Sequence, residues 1–420
     1  MANSDRMGED GTASVAGADP QPGSGPGQVY LDHAATSLML PEALAAMTEE
    51  LSQLGNPSSL HNAGRRARRV VEEAREQIAD AYGARPSEVV FTGGGTEADN
   101  LAIKGLFWAR RAADAARTRL LVAPTEHHAV LDSVYWLASH ESADVDWLPV
   151  SGTGRVDPEQ LRAAIEQDPA SVALISVMWA NNEVGTIQPI PELAQIAREY
   201  QIPFHSDAVQ AAGQLPVSLA DSGATALTIT AHKIGGPIGV GALLLARGTD
   251  AVPVLHGGGQ ERDVRSGTLD APAIRAFAVA VRLASERRAD EAKRLAGLRD
   301  DLIAQVRAAV PDAILNGEPP GPGRLPANAH FSFPGCEGDA LLMLLDARDI
   351  ACSTGSACTA GVAQPSHVLL AMGADDGRAR SSLRFTLGHT STKADVDALL
   401  AALPGAVDRA RRATAWKTPR

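Results

Sequence analysis

Short apolar runs alternate with longer stretches of helical periodicity over most of the chain. Strands that alternate with helices are typical of an α/β layer fold with a largely parallel sheet. We therefore predict an α/β fold whose large domain is built on a mainly parallel sheet. The apolar runs that predict its strands are 88–91, 120–123, 171–178, 202–205, 226–230 and 241–245.

The pattern changes beyond residue 270. Residues 271–310 carry charges on one side and Ala, Leu and Val on the other, which predicts a long helix between two domains. A Pro- and Gly-rich segment, 317–326, then precedes a new alternation that predicts a smaller α+β domain. The elements predicted there are the strands 329–333, 350–353 and 383–387 and the helix 339–347.

The predicted domain boundaries follow from these changes. We expect the large domain to span 43–287 and the small domain to combine 29–42 with 288–420. Residues 1–28 are rich in Gly, Pro, Ser and Asp and carry almost no large apolar side chain. Such a segment buries too little surface to offset the entropy of ordering, so we expect a disordered tail.

Charge and cysteine usage narrow the classes of function. The chain has 420 residues and a net charge of -12, so it lacks the basic field that would attract nucleic acid or an anionic membrane. Its three cysteines, Cys336, Cys352 and Cys358, form no C-x-x-C pair, which indicates neither a disulfide framework nor a zinc site. No apolar run is long enough for a membrane span, and no export signal is evident. We expect a cytoplasmic protein without a metal site.

Polar residues follow four predicted strands, at the edge where open α/β sheets bind ligands. The first group, Thr92 to Asp99, is Gly-rich and opens a helix, either as an anion site or as an ordinary turn that Thr96 and Asp99 close with a capping box. The second contains His127 and His128, which point in opposite directions on an extended strand end and so make poor joint metal ligands.

The other two groups carry a carboxylate and an amine. Asp207 follows a buried apolar strand, where it needs a cationic partner, either an arginine or a protonated pyridine nitrogen. Lys233 follows a later strand and is either an exposed turn lysine or a buried amine of lowered pKa suited to Schiff-base chemistry. Together, such an Asp and such a Lys are the pattern by which proteins hold pyridoxal 5'-phosphate (PLP).

The chain resembles cysteine desulfurases of the NifS/IscS-like group, within the PLP-dependent class V aminotransferases. The resemblance runs from Tyr30 to about Gly388 and implies the PLP-dependent transferase fold of aspartate aminotransferase type. The motifs that carry it are YLDHAAT (30–36), GNPSSLHNAGRRA (55–67), FTGGGTEADNLAIKG (91–105), TEHHAVLDS (125–133), NNEVGTIQPI (181–190), HSDAVQAAG (205–213), HKIGGP (232–237), GGGQERDVRSGT (257–268), GSACTAG (355–361) and SSLRFTLG (381–388).

The resemblance implies a role for each matching residue. Lys233 holds PLP covalently, Asp207 pairs with its pyridine nitrogen and His127 stacks on its ring. The cofactor's phenolic oxygen and phosphate are contacted by Asn182, Gln210, Gly95, Thr96, Thr230 and His232.

The resemblance also implies the reaction and the partners. Arg384, with Asn182, binds the substrate, and Arg384 clamps its carboxylate through two hydrogen bonds. Cys358 accepts sulfur as a persulfide while L-cysteine becomes L-alanine. Thr268 reaches the phosphate of a second subunit, so a homodimer is implied. The sulfur acceptors implied are a scaffold for iron–sulfur clusters or a thiolation relay.

Three alternatives stay open on the sequence. A selenocysteine lyase or another class V PLP enzyme would use Lys233 without Cys358, and product analysis separates these enzymes from a desulfurase. A non-catalytic scaffold for sulfur assembly is disfavoured by Lys233, Asp207 and Cys358, and PLP absorbance would exclude it.

Cys336 and Cys352 are interpreted as small buried hydrophobic residues.

Overall fold

The computed structural model describes residues 28–355 and 364–417. The predicted tail, 1–28, therefore lies outside the described residues except for Gln28. The described strands are β1 (Val29–Tyr30), β2 (Val89–Thr92), β3 (Arg119–Val122), β4 (Asp144–Trp147), β5 (Val172–Ser176), β6 (Phe204–Asp207), β7 (Ala226–Thr230), β8 (Gly241–Leu245), β9 (Ile314–Leu315), β10 (Asn328–Ser332), β11 (Ile350–Ala351) and β12 (Ser382–Thr386).

Helices cover most of the remaining described chain. The α-helices are α1 (Pro41–Leu51), α2 (Asn62–Ala81), α3 (Gly95–Ala113), α4 (His128–Glu141), α5 (Pro158–Glu166), α6 (Ile190–Glu199), α7 (Leu219–Ser222), α8 (Ala271–Ala309), α9 (Gly338–Asp346), α10 (His367–Ala371), α11 (Asp376–Arg380) and α12 (Lys393–Lys417). The long helix predicted over 271–310 is α8. The side chain of Asp270 caps it by accepting a hydrogen bond from the Ala273 N–H at 3.0 Å.

The central sheet has the strand order β2-β8-β7-β6-β5-β3-β4 in the described chain. The pairs from β7 through β6, β5 and β3 to β4 are parallel, whereas β8 runs antiparallel to both β7 and β2. Every residue of β5, β7 and β8 is buried, as expected of strands covered by helices on both faces. The predicted α/β class with a mainly parallel sheet is confirmed.

Two further small sheets lie outside the central one. In the first, β10 pairs antiparallel with β12 and with β9. In the second, β1 pairs parallel with β11, which joins residues 29–30 to residues 350–351. The start of the described chain is therefore held by segments that come more than three hundred residues later.

The buried apolar side chains form separate clusters around these sheets. Two large clusters cover the central sheet, and they include Phe91 and Phe204 in one and Phe107 in the other. A third surrounds the three-stranded sheet and includes Leu31 and Phe331. The helix α8 contributes to both regions, with Phe277 in one cluster and Leu302 in another. The exact domain boundaries stay a prediction.

Most predicted strands coincide with observed ones, and the differences have local causes. The strands over 226–230 and 241–245 have the predicted limits as β7 and β8. The sequence analysis missed β4, because its acidic residues interrupt the apolar pattern, and also β1 and β9, which have only two residues each. Among the described helices, none combines the length and the apolar character needed to cross a bilayer.

Candidate active site

A cavity of about 400 Å³ opens at the carboxyl ends of the parallel strands. The predicted site residues that line it are Gly95, Thr96, His127, Asn182, Asp207, Gln210, Thr230, His232, Lys233 and Arg384. A second cavity of about 290 Å³ shares Lys233 and Gln210 with it but includes none of His127, Asp207 and Arg384. The larger cavity therefore brings together most of the predicted site.

The N-terminus of α3 forms one wall of this cavity. Gly94 precedes it with a φ of 142°, a backbone conformation that side chains rarely adopt. A Cβ on Gly95 would lie 3.1 Å from the Val209 side chain and 3.7 Å from that of Thr230, so the close approach of three loops favours glycine here. Because no side chain caps the helix, its first N–H groups remain for an anion.

The capping box expected from Thr96 and Asp99 is absent. The helix begins at Gly95 with Gly94 at its N-cap, so both residues lie inside the first turns. Asp99 is 1% exposed and interacts with His205 and Thr228 of the central sheet. The spacing that suggested a cap therefore belongs to a buried polar contact.

The Lys233 amine lies just beyond β7. Its Nζ donates hydrogen bonds to the carbonyl oxygens of Ala34 and Ala35, the latter at 2.6 Å. Burial, followed by repulsion from Arg384, lowers the pKa of Lys233 from 10.5 to about 8. This is the half-buried amine of lowered pKa, and not the exposed turn lysine, of the two alternatives that the sequence left open.

Asp207 ends β6 and is 5% exposed. One of its oxygens accepts a hydrogen bond from the Val209 N–H at 2.8 Å. Burial, followed by the nearby Asp99 carboxylate, raises the pKa of Asp207 to about 8. Within the described residues no arginine pairs with it, which leaves the protonated pyridine nitrogen of the two cations considered from the sequence.

Two histidines face the cavity beside the lysine. His127 is the N-cap of α4, where its Nδ1 accepts a hydrogen bond from the Ala129 N–H at 3.1 Å. Its imidazole is exposed to the cavity but enclosed by protein, and burial followed by the Lys233 charge lowers its pKa to about 4. The same two causes lower the pKa of His232 to about 4, and its Nδ1 lies 3.3 Å from the Thr36 hydroxyl. Both rings are therefore neutral near neutral pH.

The Arg384 guanidinium comes from β12 and is 5% exposed. It donates to the Asp32 carboxylate at 2.7 Å and to the Asn182 carbonyl oxygen at 3.0 Å. Its Nε is buried without a hydrogen-bond partner among the described residues. A buried donor without a partner is costly, so this edge of the guanidinium is suited to a ligand oxygen.

Gln210 and Thr230 complete the walls. The Gln210 amide donates to the Ala34 carbonyl oxygen at 3.0 Å, and the Thr230 hydroxyl donates to the Val240 carbonyl oxygen at 3.3 Å. Both side chains are buried. These bonds fix a neutral amide and a hydroxyl beside Lys233 and Gly95.

A model of the aminotransferase class V family matches residues 29–399. The chain is 59% identical over 384 residues to an IscS-like cysteine desulfurase of Mycobacterium tuberculosis, which covers 91% of this chain and 97% of that protein. It is 43% identical to cysteine desulfurase IscS of Dictyoglomus turgidum, over 93% of this chain and 97% of that one. A solved NifS-like protein matches with a TM-score of 0.83 and 33% identity, over 91% of this chain and all of its own.

The chain belongs to the class V aminotransferase family, among the IscS/NifS-like cysteine desulfurases. These matches confirm the predicted family, fold and enzyme class. They also confirm the predicted cofactor, because members of this family depend on PLP. The prediction of a cysteine desulfurase is confirmed by the same relatives. The roles of individual residues stay predictions.

The described residues of this IscS/NifS-like site fit PLP. The cavity offers an amine of lowered pKa at Lys233 and, at Asp207, a buried carboxylate that lacks an arginine partner. The uncapped N-terminus of α3 supplies N–H groups for a phosphate. An aldehyde, a pyridine nitrogen and a phosphate thus each find a group of matching chemistry.

The structure leaves two predicted residues unplaced at the cavity, one of them because it is not described. Cys358 lies outside the described residues. Thr268 is exposed and does not line this cavity in the described chain, and its contact with a second subunit stays a prediction. Cys336 and Cys352 are 6% and 9% exposed, which confirms that they are buried. Burial raises the pKa of both thiols, that of Cys352 to about 12.

The sequence analysis missed several polar residues around the site. Asp32 lay within a quoted motif, but its contact with Arg384 joins residues 352 positions apart, which no local spacing predicts. Glu126 and His205 are both 0% exposed. A glutamate and a histidine that directly flank or interrupt apolar strands are the signal that could have found them.

Proposed function

We propose that this chain is a cysteine desulfurase that converts L-cysteine to L-alanine and transfers the sulfur to Cys358 as a persulfide. The observation that carries the proposal is the convergence of Lys233, Asp207 and Arg384 on one cavity. These are an amine, a carboxylate and a guanidinium matched to a cofactor aldehyde, a pyridine nitrogen and a substrate carboxylate. The relatives named cysteine desulfurase support it over most of the chain.

The cofactor roles follow from the chemistry of each side chain. Lys233 holds PLP through its Nζ, and Asp207 pairs with the pyridine nitrogen. His127 stacks on the ring and Gln210 and Asn182 contact the phenolic oxygen. The phosphate is held by Gly95 and Thr96 at the N-terminus of α3, with Thr230 and His232.

Substrate binding and proton transfer follow next. Arg384 binds the cysteine carboxylate through the Nε edge that lacks a protein partner. PLP, when bound, supplies an electron sink for the Cα–H bond of the substrate. The neutral Lys233 amine, favoured by its lowered pKa, removes the Cα proton and later returns one to carbon.

Sulfur transfer is assigned to Cys358. Its thiolate attacks the substrate sulfur, and the Cβ–S bond breaks with its electrons remaining on the carbon side. Protonation at Cβ then gives alanine, while the sulfur stays on Cys358 as a persulfide. A neutral imidazole such as that of His127 provides a base for the thiol proton.

The proposal extends to a second subunit, a compartment and a sulfur acceptor. We infer a homodimer in which Thr268 reaches the phosphate of the second subunit. The chain has only three cysteines and no C-x-x-C pair, which suits a reducing compartment and supports a cytoplasmic location. The persulfide would pass to an iron–sulfur scaffold or to a thiolation relay, as the names of the IscS relatives suggest for the first.

Replacing Cys358→Ser tests the proposal directly. The variant should retain PLP and still change its absorbance when cysteine is added, because those steps depend on Lys233. It should yield neither alanine nor sulfide above a trace, since a hydroxyl forms no persulfide. Alanine and sulfide are measured together with the absorbance.

Cys336→Ser and Cys352→Ser are the matched controls, because both thiols are buried. Each should keep turnover within a few-fold of the parent. Alanine production by Cys358→Ser at the parent rate would favour the lyase alternative, in which sulfur leaves without a protein acceptor.

A further inference from the structure

Three carboxyl groups are buried together, and two of them, Asp99 and Asp207, line the cavity. Asp99, Glu126 and Asp207 are 1%, 0% and 5% exposed, and they interact electrostatically with one another. His205 and Lys233 act electrostatically on Asp207, and a ring nitrogen of His127 lies within 4.8 Å of carboxylate oxygens of Asp207 and Asp99. His205 is itself fully buried, and burial lowers its pKa to about 4, so it contributes no charge near neutral pH.

Glu126 has only neutral hydrogen-bond partners within the described residues. Its Oε1 accepts from the Ser176 hydroxyl at 3.4 Å, and a backbone N–H at Met178 also donates to the carboxyl group. Its Oε2 is buried without a partner. Such surroundings stabilise an ionised carboxylate poorly, because the cost of burying the charge is not offset by a cation.

The position of Glu126 connects it to the site. It directly precedes His127, whose imidazole lines the cavity. The Ser176 hydroxyl that bonds to Glu126 also lies 3.0 Å from the Nδ1 of His205, which is two residues before Asp207 in β6. The Glu126 side chain therefore ties the loop that carries His127 to β5 and β6.

The number of positive charges near the three carboxyl groups indicates which of them keeps its proton. A pyridine nitrogen offers one positive charge, which Asp207 receives directly in the proposed function. An ionised Glu126 would have no cation acting on it among the described residues. Burial and the neighbouring Asp207 and Asp99 both raise the pKa of Glu126 well above its ordinary value.

We propose that Glu126 is a neutral carboxylic acid at neutral pH and acts as a positioning residue, which holds the His127 loop while Asp207 carries the charge that faces the cofactor. This inference rests on the proposed function for the presence of PLP.

Infrared spectroscopy of the PLP-loaded enzyme in heavy water tests it. The difference between the parent and Glu126→Gln at neutral pH should contain the C=O stretching band of a protonated carboxyl. Bands of a carboxylate in its place would overturn the inference. Because the amide resembles a protonated acid in shape, the variant preserves the hydrogen bond from Ser176.

Glu261→Gln is the matched control. Glu261 is also 0% exposed, but both of its oxygens bind the Arg75 guanidinium at 2.7 Å. Its difference spectrum should therefore contain carboxylate bands only. Should a variant fail to fold, the parent labelled with ¹³C-glutamate answers the same question, because the label shifts a glutamic acid band and leaves an aspartic acid band unmoved.

A second readout follows the cofactor itself. The pH midpoint of the bound PLP absorbance should stay close to the parent value in Glu126→Gln. Loss of a real charge beside Asp207 would move it by about one unit or more, which would contradict the inference.

The two proposals fail separately. Cysteine that gives no alanine with the parent enzyme would reject the proposed function and leave the acid band intact. Normal alanine production without the band would reject only the neutral Glu126.

Discussion

Two regions of this protein bury glutamate side chains completely, and they treat the charge in opposite ways. Glu261 lies under β2, where Arg75 binds both of its oxygens and the Phe91 N–H donates to it at 2.9 Å. Glu126 lies under the cavity with a serine hydroxyl and a backbone N–H. Both carboxyl groups are 0% exposed, so depth of burial does not distinguish them.

The two regions differ in whether the protein itself supplies a cation for the buried carboxylate. The Arg75 pair is closed within the protein and connects α2, β2 and the loop before α8, so it contributes to the fold. At the cavity, Asp207 keeps a carboxylate whose cation is to come from a ligand. A buried acid of raised pKa without an arginine partner, such as Asp207 or Glu126, therefore points to the site, whereas the closed Arg75–Glu261 pair belongs to the scaffold.

Lys233→Ala should break the cavity region completely. Without the Nζ amine, PLP has no covalent attachment and the Cα proton has no base, so turnover should fall to background. Absorbance of the purified variant and alanine release measure the two effects. Thermal unfolding of the variant without PLP should stay close to that of the parent without PLP, since Lys233 is only half-buried and the surrounding protein disfavours its charge. Covalent PLP on another lysine would refute the assignment.

Arg75→Ala should break the scaffold region. The change leaves Glu261 buried without its cation, which costs about 3–5 kcal/mol of unfolding free energy. Urea titration of the variant measures the loss.

Arg282→Ala is the control for that experiment, because its pair with Glu286 is exposed. It should cost about 0.5 kcal/mol or less. Equal losses for the two variants would remove the distinction between a buried and an exposed pair.

Arg384→Lys sharpens the comparison within the cavity, because the charge is kept and the planar geometry is lost. We expect the Michaelis constant for cysteine to rise roughly 10- to 150-fold, which corresponds to about 1.5–3 kcal/mol for a charge-assisted hydrogen bond. Steady-state kinetics of alanine release measure it. An unchanged constant would exclude Arg384 from the substrate site.

The pH dependence of PLP capture gives the smallest effect. Because the pKa of Lys233 is lowered, the fraction of neutral amine increases as the pH rises through about 8. Deprotonation is therefore complete before the pH reaches the ordinary pKa of 10.5. The lowered pKa also means that the charged amine lowers the free energy of unfolding at low pH. This destabilisation disappears as the pH rises from about 8 to 10.5. Stopped-flow absorbance of apoenzyme mixed with PLP should level off above pH 8. A rate that climbs toward 10.5 would contradict the lowered pKa.

The sequence predicted the parts of the site that come from single strand ends. Asp207 and Lys233 each follow a buried apolar strand, and a strand end is a local feature that a pattern reveals. The parallel sheet then brings these ends together without further information.

Contacts between distant segments were not predictable in this way. Arg384 meets Asp32, and the Lys233 amine meets Ala34 and Ala35, only after the two small sheets have formed. The mistaken capping box has a similar cause, because the spacing of Thr96 and Asp99 is the same whether Asp99 caps a helix or turns toward Thr228. Tertiary packing decided between the two.

The pairing of β1 with β11 has a consequence for biosynthesis. The first described strand emerges from the ribosome roughly 320 residues before its partner, a delay on the order of 15–60 s at about 5–20 residues per second. Through that interval Asp32 has no Arg384 beside it. The nascent chain can thus form its central sheet early. The cavity is complete only after β12 has been translated, because Arg384 lies in that strand. We therefore expect the cofactor to bind after most of the chain has been synthesised.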